Sequence, residues 1–165
     1  MYTYEKDGNI GCGEDVDMRR KIRTPESMHT MQGQPHMHDF IVLSYMKAGE
    51  CRQRIDGVEY LTKRGDLLFI GMNQTHQILL SGDVEQINIH LTGRLWSEEL
   101  KNVDNFESIF ALSIFNEFKD VSGTVSPMIS FSGAEIPEVE SILERMMTES
   151  EKREIGYRAP FRRLP

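Results

Sequence analysis

His36 and His38 stand two residues apart, and His76 follows a Gly65-Asp66 turn and a further apolar run. Strand side chains alternate with period 2, so the first pair shares one face of a strand. Three imidazoles converging inside a small barrel have the donors to hold a divalent metal, or to line a pocket for a polar ligand. A third reading is structural, with His36 and His38 flanking a strand start and His76 satisfying a turn. A divalent ion on three neutral imidazoles keeps its full charge, so its burial without an anionic ligand is costly. No metal or other cofactor is expected on that ground; if one binds, His36, His38 and His76 are its ligands. Nucleophilic catalysis has no support, because neither Cys12 nor Cys51 has an identifiable histidine partner.

Short strands punctuated by turns must position these histidines. HDFIVLSYMKAG is rich in residues that suit a buried pleat: Phe40, Ile41, Val42, Leu43 and Tyr45. CRQRI and VEYLT flank Asp56-Gly57, a strong hairpin signal. LLFIG, THQILL and VEQINIHL follow, separated by Met72-Asn73-Gln74 and Ser81-Gly82-Asp83. Many short strands at even spacing predict an all-β sandwich or barrel. TPESMHTMQG enters the first barrel strand. On the last strand Ile87, Ile89 and Leu91 share one face and Gln86, Asn88 and His90 the other. The apolar face is assigned inward, which puts His90 outside.

The period changes after Gly93. Ser97 caps a helix carrying Glu98 and Glu99, and Phe106, Ile109, Phe110, Ile114 and Phe118 recur at helical spacing. Ile136, Val139, Ile142, Leu143, Met146 and Met147 form a second helical stripe, with Pro137 in its first turn. That stripe faces either the barrel or a partner chain.

The chain has 165 residues and a formal charge of −7, which suits one acidic soluble domain and argues against a nucleic-acid grip by this segment. No apolar run reaches the roughly 20 residues of a membrane span, and the N-terminus has no signal-peptide core. A cytoplasmic protein is expected. Cys12 and Cys51 read as free thiols there, a bridge between them being the alternative. Residues 1–24 form an arm or a loosely attached first strand, 25–95 the barrel and 96–165 a helical segment. GYRAPFRRLP looks like the start of another element, as in a cut chain, or else a frayed terminus.

The histidine array resembles the two sequence motifs of the cupin superfamily. His36, His38 and His76 match three metal-ligand positions, whereas Val42 stands at the glutamate, Gly71 and Asn73 replace the usual Pro and Gly, and Leu80 stands at the usual Asn. PHMHDFIVLSYMKAGECRQRIDGVEYLTKRGDLLFIGMNQTHQI is similar, more narrowly, to the ligand-binding barrel of AraC-type bacterial transcription regulators. His36, His38, Asp39, Phe40, Leu43, Tyr45, Gly49, Ile55, Asp56, Gly57, Gly65, Asp66, Leu67, Ile70 and His76 match that pattern; Ile41, Val42 and Gly71 depart from it.

That resemblance implies a mainly β, cupin-like double-stranded β-helix followed by C-terminal α-helices. It implies an effector-sensing and dimerising domain for a small molecule such as a sugar, with DNA contacted only through a helix-turn-helix half absent from this chain. Period 2 from His36 and His38 then puts Val42, Ser44 and Met46 in the ligand pocket, with His76, Ile78 and Ile87 opposite. Ile136, Val139, Leu143, Met146 and Met147 are the expected homodimer contact. The alternative is a metal-dependent cupin enzyme, a dioxygenase or isomerase on a three-histidine site; a storage or carrier barrel is the third reading.

Overall fold

Asp56 and Gly57 both take positive φ, at 48° and 87°, the backbone of a two-residue hairpin turn whose twist matches its flanking strands. The computed structural model describes residues 3–5, 16–29, 33–92 and 126–152. Its strands are β1 (Thr3–Glu5), β2 (Val16–Arg23), β3 (His36–His38), β4 (Ile41–Ala48), β5 (Glu50–Ile55), β6 (Val58–Lys63), β7 (Asp66–Ile70), β8 (His76–Leu80), β9 (Val84–Leu91) and β10 (Met128–Ser130). A helix, α1 (Glu135–Lys152), follows them. The mainly β, cupin-like expectation holds: one sheet runs β1-β3-β8-β5-β6 and the other β10-β7-β4-β9-β2. The two sheets do not join into a closed ring of hydrogen bonds among the described residues.

Several expectations change in detail. Glu26–His29 of the TPESMHTMQG stretch is a 3-10 turn, not a strand entrance. Residues 16–23, expected as part of an arm or of a first strand, take the strand alternative: they are β2, an eight-residue strand antiparallel to β9 from Val16 opposite Leu91 to Arg23 opposite Val84. The stripe at Phe106 to Phe118 and the basic tail lie outside the described residues. No helix among the described residues is long and apolar enough to cross a membrane.

Two apolar layers hold the molecule, one on each side of the second sheet. Between the sheets, Phe40, Val42, Ile55, Leu68 and Ile70 pack at one end and Met46, Cys51, Ile78 and Val84 at the other. On the outer face, Tyr45, Ile87 and Ile89 meet Leu143 and Met147 of α1, with Val139 half-buried beside them. Each fully covered aliphatic side chain there contributes about 1.5–3 kcal/mol.

The expected dimer stripe is therefore corrected. Leu143 and Met147 are buried on the chain's own sheet, and Ile136 packs toward Gly65. Of the stripe residues, Ile142 (50% exposed) and Met146 (39%) are left outside. Ion pairs tie the helix down as well: Glu144 meets Arg20 and Lys47, and Glu140 accepts two 3.0 Å bonds from Arg64.

Candidate functional site

β3 and β8 pair so that His36 lies directly opposite His76, and His38 follows on the same inward face as His36. The three rings are buried, with centroids 4.8 Å (His36–His38), 5.2 Å (His36–His76) and 6.1 Å (His38–His76) apart. The opposite sheet faces them with Val42 and Ser44 of β4, Ile70 of β7, Asn88 and His90 of β9, and Arg19, Lys21 and Arg23 of β2. Together these residues line a cavity of about 240 Å³, reached also by Phe40 and Ile78. That is room for about eight waters or one small metabolite.

Of the expected pocket residues, His36, His38, Val42, Ser44, His76 and Ile78 line this cavity. Met46 shares the inward face but closes its deep end against Cys51, Ile78 and Val84. Ile87 points the other way, into the layer beneath α1, and His90 points into the cavity. Both assignments on β9 are thus reversed, because α1 gives the outer face its own apolar cover. The basic row of β2 was missed altogether, although Val16, Met18 and Ile22 alternate with Asp17, Arg19, Lys21 and Arg23 at strand period.

Hydrogen bonds set the protons of two of the histidines. His36 Nδ1 lies 2.8 Å from the Gln34 carbonyl oxygen and donates to it, leaving Nε2 with a lone pair. His76 Nε2 lies 3.0 Å from Gln53 Oε1, while the Gln53 amide donates to Thr62 Oγ1 at 3.1 Å. Gln53 therefore presents an acceptor, His76 Nε2 carries the proton, and His76 Nδ1 is a buried atom with no hydrogen-bond partner among the described residues. Burial, followed by the charges of His36, His38 and Arg23, holds His76 well below the ordinary histidine range. His90 is lowered too, mainly by burial, with Asp17 opposing at 3.4 Å.

These donors fit a metal in kind. One ligand atom from each of His36, His38 and His76 lies within 4.8 Å of the others. Bonds of about 2.1 Å in tetrahedral geometry put nitrogens about 3.4 Å apart, so the rings would close by a little over an ångström. Val42, which lines the same cavity, is apolar and packs with Phe40 and Ile70, so it would offer such an ion no charge to neutralise it.

Charge is distributed unevenly about the cavity. Its lining has three permanent cations and, among the described residues, no carboxylate. Asp17, next along the same face of β2, pairs with Arg19 and faces His90. Burial raises its pKa, yet the His90 and Arg19 contacts outweigh this and hold it below the usual carboxylate range.

A family model described as the AraC-like ligand binding domain matches residues 22–155. None of the curated proteins compared matches the chain. Among solved structures, an RmlC-like cupin from Shewanella frigidimarina is similar at 19% identity and TM-score 0.41, over 52% of this chain and 71% of that one. B. subtilis oxalate decarboxylase is similar at 17% identity and TM-score 0.40, over 80% of this chain and 38% of that one. The Clostridium difficile EutQ protein is similar at 15% identity and TM-score 0.37, over 47% of this chain; the match spans 56% of the EutQ chain, less than two thirds of its length.

Proposed function

Because the chain belongs to the AraC-like ligand binding domain family, we propose that it is the effector-sensing part of an AraC-type transcription regulator, cytoplasmic and without catalytic activity of its own. The effector is a small molecule held between the sheets. DNA contact belongs to the helix-turn-helix part that such regulators carry, and two copies pair as a homodimer. The observation that carries the reading is the position of β2. Its inner face supplies Arg19, Lys21 and Arg23 to the cavity, while Val16 and Met18 on its outer face join the layer under α1. Arg20 on that outer face also pairs with Glu144 of the helix. A ligand that draws on the inner row biases the strand on which α1 rests, which is the physical content of a population shift. A homodimer contact made through α1 would use Ile142 and Met146.

The test is a thermal-shift screen of small metabolites on the whole chain, followed by amide exchange of the best stabiliser's complex. Binding raises the unfolding midpoint by mass action and alters protection in both β2 and α1. Stabilisation with no change in α1 would reduce the protein to a carrier.

A second reading, a metal-dependent cupin enzyme, is favoured by one observation: His76 donates its Nε2 proton to Gln53 Oε1 and keeps a buried Nδ1 without a hydrogen-bond partner among the described residues, as a metal-ligating histidine does. His36, His38 and His76 would hold the ion, which would supply Lewis acidity to an oxygen-bearing substrate. Elemental analysis of purified protein decides it. Stoichiometric metal, lost in His76→Ala, favours the enzyme, and metal-free protein favours the sensor.

A further inference from the structure

We propose that β6 is a contact between copies of this chain. Two β6 strands meet edge to edge, antiparallel, about a two-fold axis at Leu61, and so join two copies of the β1-β3-β8-β5-β6 sheet into one.

The hairpin decides which backbone groups of β6 are on offer. The two-residue turn at Asp56-Gly57 makes Ile55 and Val58 a hydrogen-bonded pair, so Val58, Tyr60 and Thr62 turn their N–H and C=O groups toward β5. Glu59, Leu61 and Lys63 turn theirs the other way. Lys63 bears this out, because its N–H donates to Asp66 Oδ2 at 2.8 Å inside the following turn. β6 ends its sheet, and among the described residues no strand pairs with its outer edge. Such an edge is a template for another strand unless proline, a bulge or buried charge blunts it. β6 has neither proline nor bulge, and Leu61 at its middle is 54% exposed.

The strand's own sequence specifies the occupant. With Leu61 opposite Leu61 of a second copy, Glu59 stands opposite the second copy's Lys63, and Lys63 opposite its Glu59. All of these side chains lie on one face of the joined sheet. The two Leu61 residues exchange backbone hydrogen bonds, and each Glu59 N–H meets a Lys63 carbonyl, which leaves the bond from Lys63 N–H to Asp66 intact. Other two-fold registers do worse. An axis at Glu59 or Lys63 sets like charges face to face, and one at Tyr60 or Thr62 sets a charge against Leu61. Glu59 pairs with Arg54 through Oε1, so Oε2 remains for the second copy's lysine. The Lys63 ammonium has no carboxylate partner among the described residues.

An edge contact of this kind is smaller than a standard interface, so the pairing depends on concentration. It is also separate from α1, which lies on the outer face of the other sheet.

Light scattering of the whole chain, from about 5 to about 500 μM, tests the contact. The mass is expected to double across that range. Lys63→Glu sets Glu59 against a second glutamate, and Glu59→Lys sets Lys63 against a second lysine, so each variant alone should lose the doubling. An equimolar mixture of the two variants restores opposite charges at both positions and should restore the doubling. Both side chains are exposed, and unchanged unfolding midpoints verify that each variant keeps the fold. A parent that does not double, a doubling that persists in either single variant, or a mixture that stays undoubled overturns the inference. Ile142→Lys supplies the contrast. A doubling that it alone abolishes belongs to α1, which overturns the β6 contact and leaves the effector reading standing.

Discussion

Gln53 fixes the proton of His76: the ring's Nε2–H donates to Gln53 Oε1 at 3.0 Å, and Thr62 holds the other end of the glutamine amide at 3.1 Å. This bond turns the bare Nδ1 of His76 into the acceptor available at the cavity wall. Gln53→Leu should leave the buried His76 imidazole short of a partner, at a cost of about 1–3 kcal/mol, while Thr62 Oγ1 keeps its bond to the Cys51 carbonyl oxygen. Nitrogen-15 shifts of His76 check the tautomer directly. A single Nε2–H form in the parent and a mixture in Gln53→Leu are expected; a mixture in the parent would sink the assignment.

The depressed histidines give the fold a defined acid response. The folded pKa of His76, lowered by burial and by His36, His38 and Arg23, lies below the unfolded value, as does that of His90. Below about pH 6.5 the unfolded chain therefore binds more protons, and stability falls as pH falls. Each such group contributes a slope of at most about 1.4 kcal/mol per pH unit. Asp17, Glu140 and Glu144, whose pKa values are lowered, add their own loss only in the carboxylate range further down. Urea unfolding between pH 7.5 and 5 should show the first slope (window set by the unfolded histidine value), and His76→Gln should flatten it. Equal slopes in parent and variant would mean that His76 does not carry the effect.

What the sequence disclosed and withheld follows from which faces of a strand are buried. His36 and His38 at period 2, the Asp56-Gly57 hairpin and the Gly65-Asp66 turn are local signals, and the structure honours each of them. β9 misled because it is buried on both faces, from Gln86 through His90. With α1 over one face, Ile87 and Ile89 serve the helix and Asn88 and His90 serve the cavity, so an apolar-inward rule inverts the strand. Binding cavities keep placed polar groups, which is where that rule fails. A first strand within residues 1–24 was one of two expectations, but the inward row Arg19, Lys21 and Arg23 was not read from the alternation of VDMRRKIR. That Leu143 and Met147 face the sheet, and not a partner, depends on tertiary packing that a helical period does not contain.

The two sides of α1 should therefore behave differently. Leu143, 6% exposed and packed with Tyr45 and Ile87, should cost about 2–5 kcal/mol when cut to alanine. Ile142, one residue earlier and 50% exposed, should cost within about 0.5 kcal/mol of nothing in the monomer. Denaturant midpoints measure both. If Ile142→Ala is the more damaging change and its effect depends on protein concentration, the outer face of α1 is a subunit contact.

Gly65 joins the cavity-bearing sheet to the segment that carries α1. Its φ of +95° is a conformation that a side chain rarely adopts, and a Cβ there would sit 2.8 Å from the Phe131 carbonyl oxygen and 3.1 Å from Ile136 Cδ1. The same residue accepts a 2.9 Å bond from Phe131 N–H and donates one of 3.0 Å to the Met46 carbonyl oxygen. Gly65→Ala should thus combine backbone strain with a displaced β10, at roughly 1–3 kcal/mol. The damage should spread toward the helix, because Phe131 and Ile136 lead directly into α1. Amide exchange separates the two outcomes: faster exchange across α1 with β5 and β6 unchanged supports a joint at Gly65. Uniform loss of protection would show that the turn supports the whole sheet instead.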